Sequence, residues 1–349
     1  MRVIIASTSV PHIDGGGRLI ARWTAEAMRA VGHEVEEFYL PFPTEPRPSL
    51  AAMVGLRTTP FAGYGDRLIA IRWPAHIIRH ENKTTWFIHH YRQLFDLWDT
   101  PYRGMPANGE GIAYREALRR IDNQGLAESR NVFTNSLIVR DRVREYNGLD
   151  PEPLFPPIGG DISRFRTECY GDFIFYPSRI TPIKRQFLAV QAMRFTTSAV
   201  RLVIAGKPES APYEQELRDY VREHSLGDRV ELRFGWLDED SKVDLLARCL
   251  AVAYLPLDED SYGYPSLEAS HSAKAVVTLQ DSGGALEFVR DEREGLVSEP
   301  NPRDLAQAFD RMYEDKSAAE RMGKQSFARR DELKIAWPHV ISRLLGEDV

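Results

Sequence analysis

LAVAYLPLDEDSYGYPSLEA, residues 250–269, changes character twice within one short stretch. Its first part, 250–257, is an apolar run of strand length with no polar alternation, the pattern of a strand covered on both faces. Three acids follow, Asp258, Glu259 and Asp260, and then Tyr262, Gly263 and Tyr264. Pro265 suits the first position of a helix, and Glu268 falls in its first turn, where a carboxylate is favoured. A buried strand that passes through a short loop into a helix is the repeating unit of parallel α/β domains. The acids admit three readings: a metal site, a solvated turn, or one side of a ligand clamp.

The same alternation runs outward in both directions. RVIIAS (2–7), HEVEEFYL (33–40), RLIAIR (67–72), TTWFIHH (84–90) and NVFTNS (131–136) read as strands in the first part of the chain. Leu19, Ile20, Trp23, Ala27 and Met28 form the apolar stripe of a helix after the first of them. Residues 41–66 and 96–112 are rich in Pro and Gly and read as loops. EPLFPPIGGD (152–161) reads as a linker, because its prolines and glycines interrupt regular structure. Beyond it DFIFYPSR (172–179), AVRLVIAG (199–206), RVELRFG (229–235) and KAVVTL (274–279) are strands, with a helix expected over 184–194 and another over 241–249. A last amphipathic helix is expected over 335–346. The organisation is therefore two doubly wound α/β domains, 1–157 and 158–328, with a C-terminal helix in 329–349 that packs back toward the N-terminal domain.

Composition narrows the function. The 349 residues exceed one ordinary core. A net charge of -6 argues against a nucleic-acid binder. The charge is uneven: residues 1–157 hold 19 Lys and Arg against 18 Asp and Glu, leaving 26 against 33 in the remainder. An anionic ligand or surface is therefore expected to meet the first part. Two cysteines give neither a disulfide framework nor metal-ligand spacing. With no long apolar run, a cytoplasmic protein is expected. Residues 57–103 carry seven Lys and Arg against four Asp and Glu, interleaved with aromatics. That stretch reads either as buried rings with solvated charges or as a surface for an acceptor or the inner face of a membrane.

Ligands of open α/β sheets sit beyond the carboxyl ends of the strands. Asp14 and Gly15–Gly17 follow the first strand, where Gly16 and Gly17 either let a ligand approach the backbone or make a plain turn. Ile20 breaks any dinucleotide fingerprint. His89 and His90 follow TTWFI, each read as a ligand contact or as a bonded structural histidine. Arg179, Lys184 and Arg185 follow DFIFYPS, as phosphate-neutralising cations or a solvated helix start. Gly283, Gly284 and Glu287 follow KAVVTL. Cations, exposed amides and carboxylates at three strand ends of one domain point to a ligand with both phosphate and sugar.

These motifs resemble the retaining glycosyltransferases of family 4, which have the GT-B fold of two Rossmann-like domains facing across a cleft. The family's E-x7-E context E-G-F-G-x-P-x-x-E-A stands here as D-S-Y-G-Y-P-S-L-E-A, 260–269. Its donor-holding Arg and Lys match Arg179 and Lys184 in SRITPIK, its G-G-x-x-E loop matches 283–287, and its N-terminal glycine loop matches 15–17. The resemblance covers nearly the whole chain and is strongest over 131–297.

The resemblance implies a nucleotide-sugar donor, a UDP- or GDP-sugar, in the second domain. Glu268 would accept hydrogen bonds from ribose hydroxyls, and amides around Tyr264, Pro265 and Ser266 would meet the phosphates. Arg179 and Lys184 would stabilise the departing diphosphate, Asp260 and the 282–287 loop would meet the sugar, and His89 would contact it from the first domain. Asp260 stands where the family has Glu, and Glu259 beside it is an alternative first acid. No cofactor and no metal are expected. The acceptor would be a glycan, a lipid-linked intermediate or a small molecule, with a peripheral membrane contact through the N-terminal domain. Rival readings are a catalytically inactive nucleotide-binding module, a sugar-nucleotide epimerase, and a metal-dependent enzyme using Asp258-Glu259-Asp260 as a D-x-D motif.

Overall fold

A computed structural model of the chain describes residues 1–10, 16–43 and 45–346. The chain divides into two compact units, the first made of Met1–Gly160 with Lys334–Val349 and the second of Asp161–Leu333. Residues 158–160 thus side with the first unit and 329–333 with the second.

The first unit is built on six parallel strands, β1 (Arg2–Ser9), β2 (Glu34–Pro41), β3 (Arg67–Ile71), β4 (Lys83–Phe87), β5 (Asn131–Thr134) and β6 (Glu152–Pro153). Their order is β2-β1-β3-β4-β5-β6, so the winding reverses between β1 and β3. Helices α1 (Gly16–Ala30), α2 (Pro46–Thr58), α3 (Gly109–Ala127) and α4 (Leu137–Asn147) connect them. Successive side chains of a strand point to opposite faces, and here each face meets its own core. Val3, Ile5, Ile69 and Ile71 enter one buried cluster with Ile20 and Met28 of α1. Ile4, Ala6, Leu68 and Ala70 enter the other with Met53 and Leu56 of α2. This two-sided burial is why these strands read as continuous apolar runs.

Two expectations are corrected here. Residues 46–58, read as loop, form α2. Pro46 lies in the first turn, where no N–H is needed, and Ser49, Met53 and Leu56 are buried at helical spacing. Part of the expected linker forms β6, which pairs with β5 through Phe133 and Thr134.

The second unit repeats the plan with β7 (Phe173–Pro177), α5 (Gln186–Ala192), β8 (Arg201–Gly206), α6 (Ala211–Glu223), β9 (Val230–Phe234), α7 (Glu239–Arg248), β10 (Ala251–Ala253), α8 (Tyr264–His271), β11 (Ala275–Leu279), α9 (Ala285–Phe288), β12 (Gly295–Ser298), α10 (Pro302–Glu314) and α11 (Lys316–Glu332). Its strands are ordered β12-β11-β10-β7-β8-β9, with the reversal between β7 and β10. The expected helix over 184–194 starts later, at Gln186, because Pro182–Lys184 form a 3-10 turn and Arg185 is left-handed at φ 57°. No helix among the described residues is long and apolar enough to cross a membrane.

The chain then returns to the first unit as α12 (Trp337–Leu345). Val340, Ile341, Leu344 and Leu345 join the cluster of β1, β3 and α1, and the Trp337 indole donates to the Ile158 carbonyl at 2.9 Å. The tail is thus part of the first unit's core. Leu344 is fully buried, so Leu344→Ala removes about 2–5 kcal/mol from the first unit. Five of the six tryptophans (Trp23, Trp73, Trp86, Trp98 and Trp337) lie in that unit, so fluorescence during urea unfolding reports on it. An unchanged midpoint would show that α12 adds nothing to its stability.

Candidate functional site

The winding of the second unit reverses between β7 and β10, so the loops leaving their carboxyl ends diverge there, the usual ligand position in such sheets. Lys184 follows β7 and the acids follow β10. The Lys184 ammonium donates to the Tyr254 hydroxyl at 2.9 Å and forms an ion pair with Glu259. Both charged side chains are largely buried, at 13% and 19% exposure. An ammonium has three donors, and these partners use two. Glu259 is thereby committed to Lys184, while Asp260 is half-buried beside it. Arg179 is exposed, and its side chain makes no hydrogen bond or ion pair among the described residues. Its loop is held from below by Gln186, a fully buried amide that donates to Ser178 Oγ at 2.8 Å and the Arg179 carbonyl at 2.9 Å.

Arg185, grouped with Lys184 as a phosphate-binding cation, has a different use. Its guanidinium grips both oxygens of Asp281 at 2.8 Å and donates to the carbonyls of Leu255 and Pro256. It therefore joins the loops after β7, β10 and β11. The last two interlock directly, with Glu259 and Gly283 bridged and the Gly284 amide donating to the Glu259 carbonyl at 2.8 Å. A Cβ on Gly283 would lie 2.6 Å from the Glu259 nitrogen, and one on Gly284 would lie 2.6 Å from Ser261 Cα. These glycines admit a neighbouring loop, whatever they also offer a ligand. Glu287, on α9, is half-buried next to them.

Helix α8 opens at Gly263, with φ 73° and the Tyr254 ring pressed against it. Tyr264 and Pro265 are half-buried at its first positions, and the Tyr264 hydroxyl is raised well above its ordinary pKa by burial and by Glu268. Ser266 is fully buried, with its hydroxyl unpartnered among the described residues. Glu268, one turn on, accepts from Lys242 of α7 at 2.7 Å, and Lys242 also reaches Glu239 at 3.0 Å. Burial raises the pKa of the Glu268 carboxyl, and the charge of Lys242 pulls it back down. Sequence reading missed Lys242 and Gln186. A Lys inside a helix otherwise read from its apolar stripe, and a lone Gln opening α5, carry no signal of their own.

In the first unit, His89 is half-buried, with Nδ1 2.7 Å from the His90 carbonyl oxygen, and His90 is buried. Gly16 is exposed at the start of α1, and Gly17 lies close to Arg72 and Ile88, where a Cβ would be 3.1 Å from Arg72 Cδ. Asp14 and Gly15 fall outside the described residues. Among the described residues, no group of three or more His, Cys, Asp or Glu is placed to hold a metal ion.

Comparison with known proteins bears on the second unit most directly. Residues 170–329 match the family model of glycosyl transferases group 1. An alpha-1,3/1,6-mannosyltransferase, ALG2, of Dictyostelium discoideum is 32% identical over 118 residues, 34% of this chain but only 27% of that protein. The crystal structure of Anabaena HepE in complex with UDP superposes over 100% of both chains with a TM-score of 0.75 at 16% identity. The same protein with UDP-glucose covers 98% of both chains, at a TM-score of 0.72 and 15% identity. Sucrose-phosphate synthase from Thermosynechococcus elongatus matches 98% of this chain and 97% of its own, at 0.72 and 17%. At these identities the superpositions establish the fold, two Rossmann-like units of the GT-B type.

The Lys242–Glu268 pair makes a pH-dependent prediction. A carboxyl whose pKa is raised by folding takes up a proton on folding, so its contribution is fully present below its unfolded pKa, about 4.5, and is lost as pH rises. Lys242→Met removes the charge that limits this rise. The variant is expected to lose on the order of 2 kcal/mol more than the wild type between pH 4 and pH 7.5. Urea unfolding followed by circular dichroism at both pH values measures the difference. Equal losses would mean that Glu268 needs no partner.

Proposed function

We propose that this chain, whose residues 170–329 match the family model of glycosyl transferases group 1, is a retaining glycosyltransferase that moves a hexose from a UDP- or GDP-sugar to a hydroxyl acceptor. The acceptor class we favour is a glycan or lipid-linked intermediate in polysaccharide or cell-surface glycoconjugate assembly. The observation that carries the reading is the grouping at one switch point of Lys184, with a donor to spare, the opening turn of α8 and the Glu268 carboxylate. The HepE complexes with UDP and UDP-glucose lend support, since that protein shares the fold.

Under this reading the diphosphate meets cations and helix amides, and the ribose meets Glu268. As the bond from the anomeric carbon to the phosphate oxygen breaks, charge accumulates on the diphosphate, and Arg179 and Lys184 neutralise it. The acceptor oxygen attacks from the same face and its proton passes to the leaving phosphate oxygen, which preserves the anomeric configuration. Asp260 orients the sugar, with Gly283, Gly284 and Glu287 on the adjoining loop, and His89 contacts the transferred sugar. Such a reaction needs no protein nucleophile and no metal. A peripheral membrane contact through the first unit fits a lipid-linked acceptor.

Calorimetry with UDP, GDP, ADP and their common sugars tests the donor site. One nucleotide should bind tightly, and Glu268→Ala should weaken it at least about tenfold, the loss of one charge-assisted hydrogen bond to a ribose hydroxyl. Arg179→Ala should lower kcat by about 10²–10³ with a smaller change in nucleotide affinity, because its contact strengthens as the diphosphate departs. Binding of none of these nucleotides would sink the proposal. Binding without turnover on any acceptor would favour an inactive nucleotide-binding module, and turnover abolished by EDTA would favour the D-x-D reading.

A further inference from the structure

Helix α9 is a single turn, Ala285–Phe288, and it carries Glu287. So short a helix does not hold itself, because fixing its backbone gains too few hydrogen bonds. Its first end is fastened by Gly283 and Gly284 to the loop that carries Glu259. Ala285 and Phe288 are fully buried and anchor one side. At the other end the Ala285 carbonyl accepts from the Val289 amide at 3.0 Å. The remaining carbonyls of a last helical turn need partners from elsewhere. That of Glu287 finds its partner on α11: the Arg329 guanidinium donates to it at 2.8 Å, across 42 residues of sequence.

Arg329 is itself held for that bond. Its side chain is 15% exposed near the end of α11, and it pairs with Glu332, one turn on, at 2.6 Å. Glu332 also pairs with Arg290 at 3.0 Å, and Arg290 closes on Glu294, whose side chain is 1% exposed. The Arg290 amide donates to the same Glu294 carboxylate at 2.9 Å. The alternating charges thus clasp residues 287–294 to the end of α11. Arg329 Nε, meanwhile, is buried with no partner among the described residues. An unmade buried donor is costly, and an apolar side chain of similar length would cover α9 without it. What the guanidinium adds is direction: its planar fork holds Glu332 and the Glu287 carbonyl at once.

We propose that Arg329 is a positioning residue for recognition of the donor sugar: by fixing the Glu287 carbonyl it sets where the Glu287 carboxylate meets a hydroxyl of that sugar. The proposal rests on the reading that Glu287, on the loop beside Asp260, helps to orient the transferred sugar. Arg329 itself touches no ligand. Its effect falls on the sugar and not on the nucleoside diphosphate, because Lys184 is held by Glu259 and Tyr254, and the start of α8 packs on the Tyr254 ring. The recognised group is a hydroxyl that donates to a carboxylate. A sugar with fluorine at that position has no proton to give and gains nothing from Arg329.

Calorimetry with UDP-glucose, UDP-galactose, UDP-N-acetylglucosamine and GDP-mannose, each beside its parent UDP or GDP, separates the two parts of the donor. For the sugar nucleotide that binds most tightly, Glu287→Ala is expected to weaken binding about tenfold, the loss of one charge-assisted hydrogen bond. Arg329→Met should weaken the same ligand by a similar factor and leave the parent nucleotide within about twofold. Added to Glu287→Ala it should cost nothing further, since both remove one contact. Arg329→Lys, which can still reach the carbonyl, should recover most of the loss. Equal weakening of parent and sugar nucleotide by Arg329→Met would mark a merely structural role and overturn the proposal. Additive losses in the double variant would overturn it too, as would an Arg329→Met variant that binds the sugar nucleotide normally where Glu287→Ala does not. Should Arg329→Met fail to fold, Glu332→Gln decides the matter, because residue 332 is 45% exposed and releases only one hold on the guanidinium. It should cost the sugar nucleotide about threefold and the parent nothing, and no selective loss there counts against the proposal. If Glu287→Ala leaves every sugar nucleotide unchanged, or no nucleotide binds, the functional reading falls instead and takes the role of Arg329 with it.

Discussion

The guanidinium of Arg185 is the constraint on which the candidate site depends. It reaches the Asp281 carboxylate and the carbonyls of Leu255 and Pro256, and so ties together loops from three strands that are far apart in sequence. To do so its own backbone sits at φ 57°, a conformation that costs a non-glycine residue about 1–2 kcal/mol. A planar fork with five donors can meet that many acceptors at once, which a lysine cannot. With the three loops fixed as one body, the positions of Lys184, Asp260 and Gly283 are no longer independent.

Lys184 and Arg185 are neighbours with the same charge and opposite uses. Arg185 spends its donors on protein, whereas Lys184 spends two of three, on Glu259 and Tyr254. Arg179 spends none among the described residues, on a loop that the buried Gln186 keeps in shape. The site thus grades its cations from structural to available within seven residues. The acids divide similarly. Glu259 serves Lys184 and Glu268 is balanced by Lys242, so each charge stays in a partly dry setting without standing alone there.

Much of this was legible in the sequence, for a definite reason. Parallel strands buried on both faces leave apolar runs, and the residues that follow such runs lie where ligands bind, so Lys184, Asp260 and Gly283 could be found from position alone. Residues whose importance comes from a partner distant in sequence left no such trace. Lys242 matters because it meets Glu268, and Gln186 because it faces the 178–181 loop. His90 could not be separated from His89 until burial distinguished them. Helix α2 was hidden by its prolines, which mark a loop in most contexts but are harmless in the first turn of a helix. β6, a two-residue strand, is too short to show a period at all.

Gly283 and Gly284 show how a correct motif can have a second cause. Read by themselves, adjacent glycines at a strand end invite a phosphate or a sugar. In the structure any Cβ at either position collides with the backbone of residues 259–261, so packing requires the pair before any ligand is considered. Substituting either would displace the loop that carries Glu259 and Asp260, and Glu259 would take Lys184 with it. A loss of activity at these glycines is therefore expected from architecture alone and says little about ligand contact. Arg179, whose side chain supports nothing else among the described residues, is the position where lost activity speaks for chemistry.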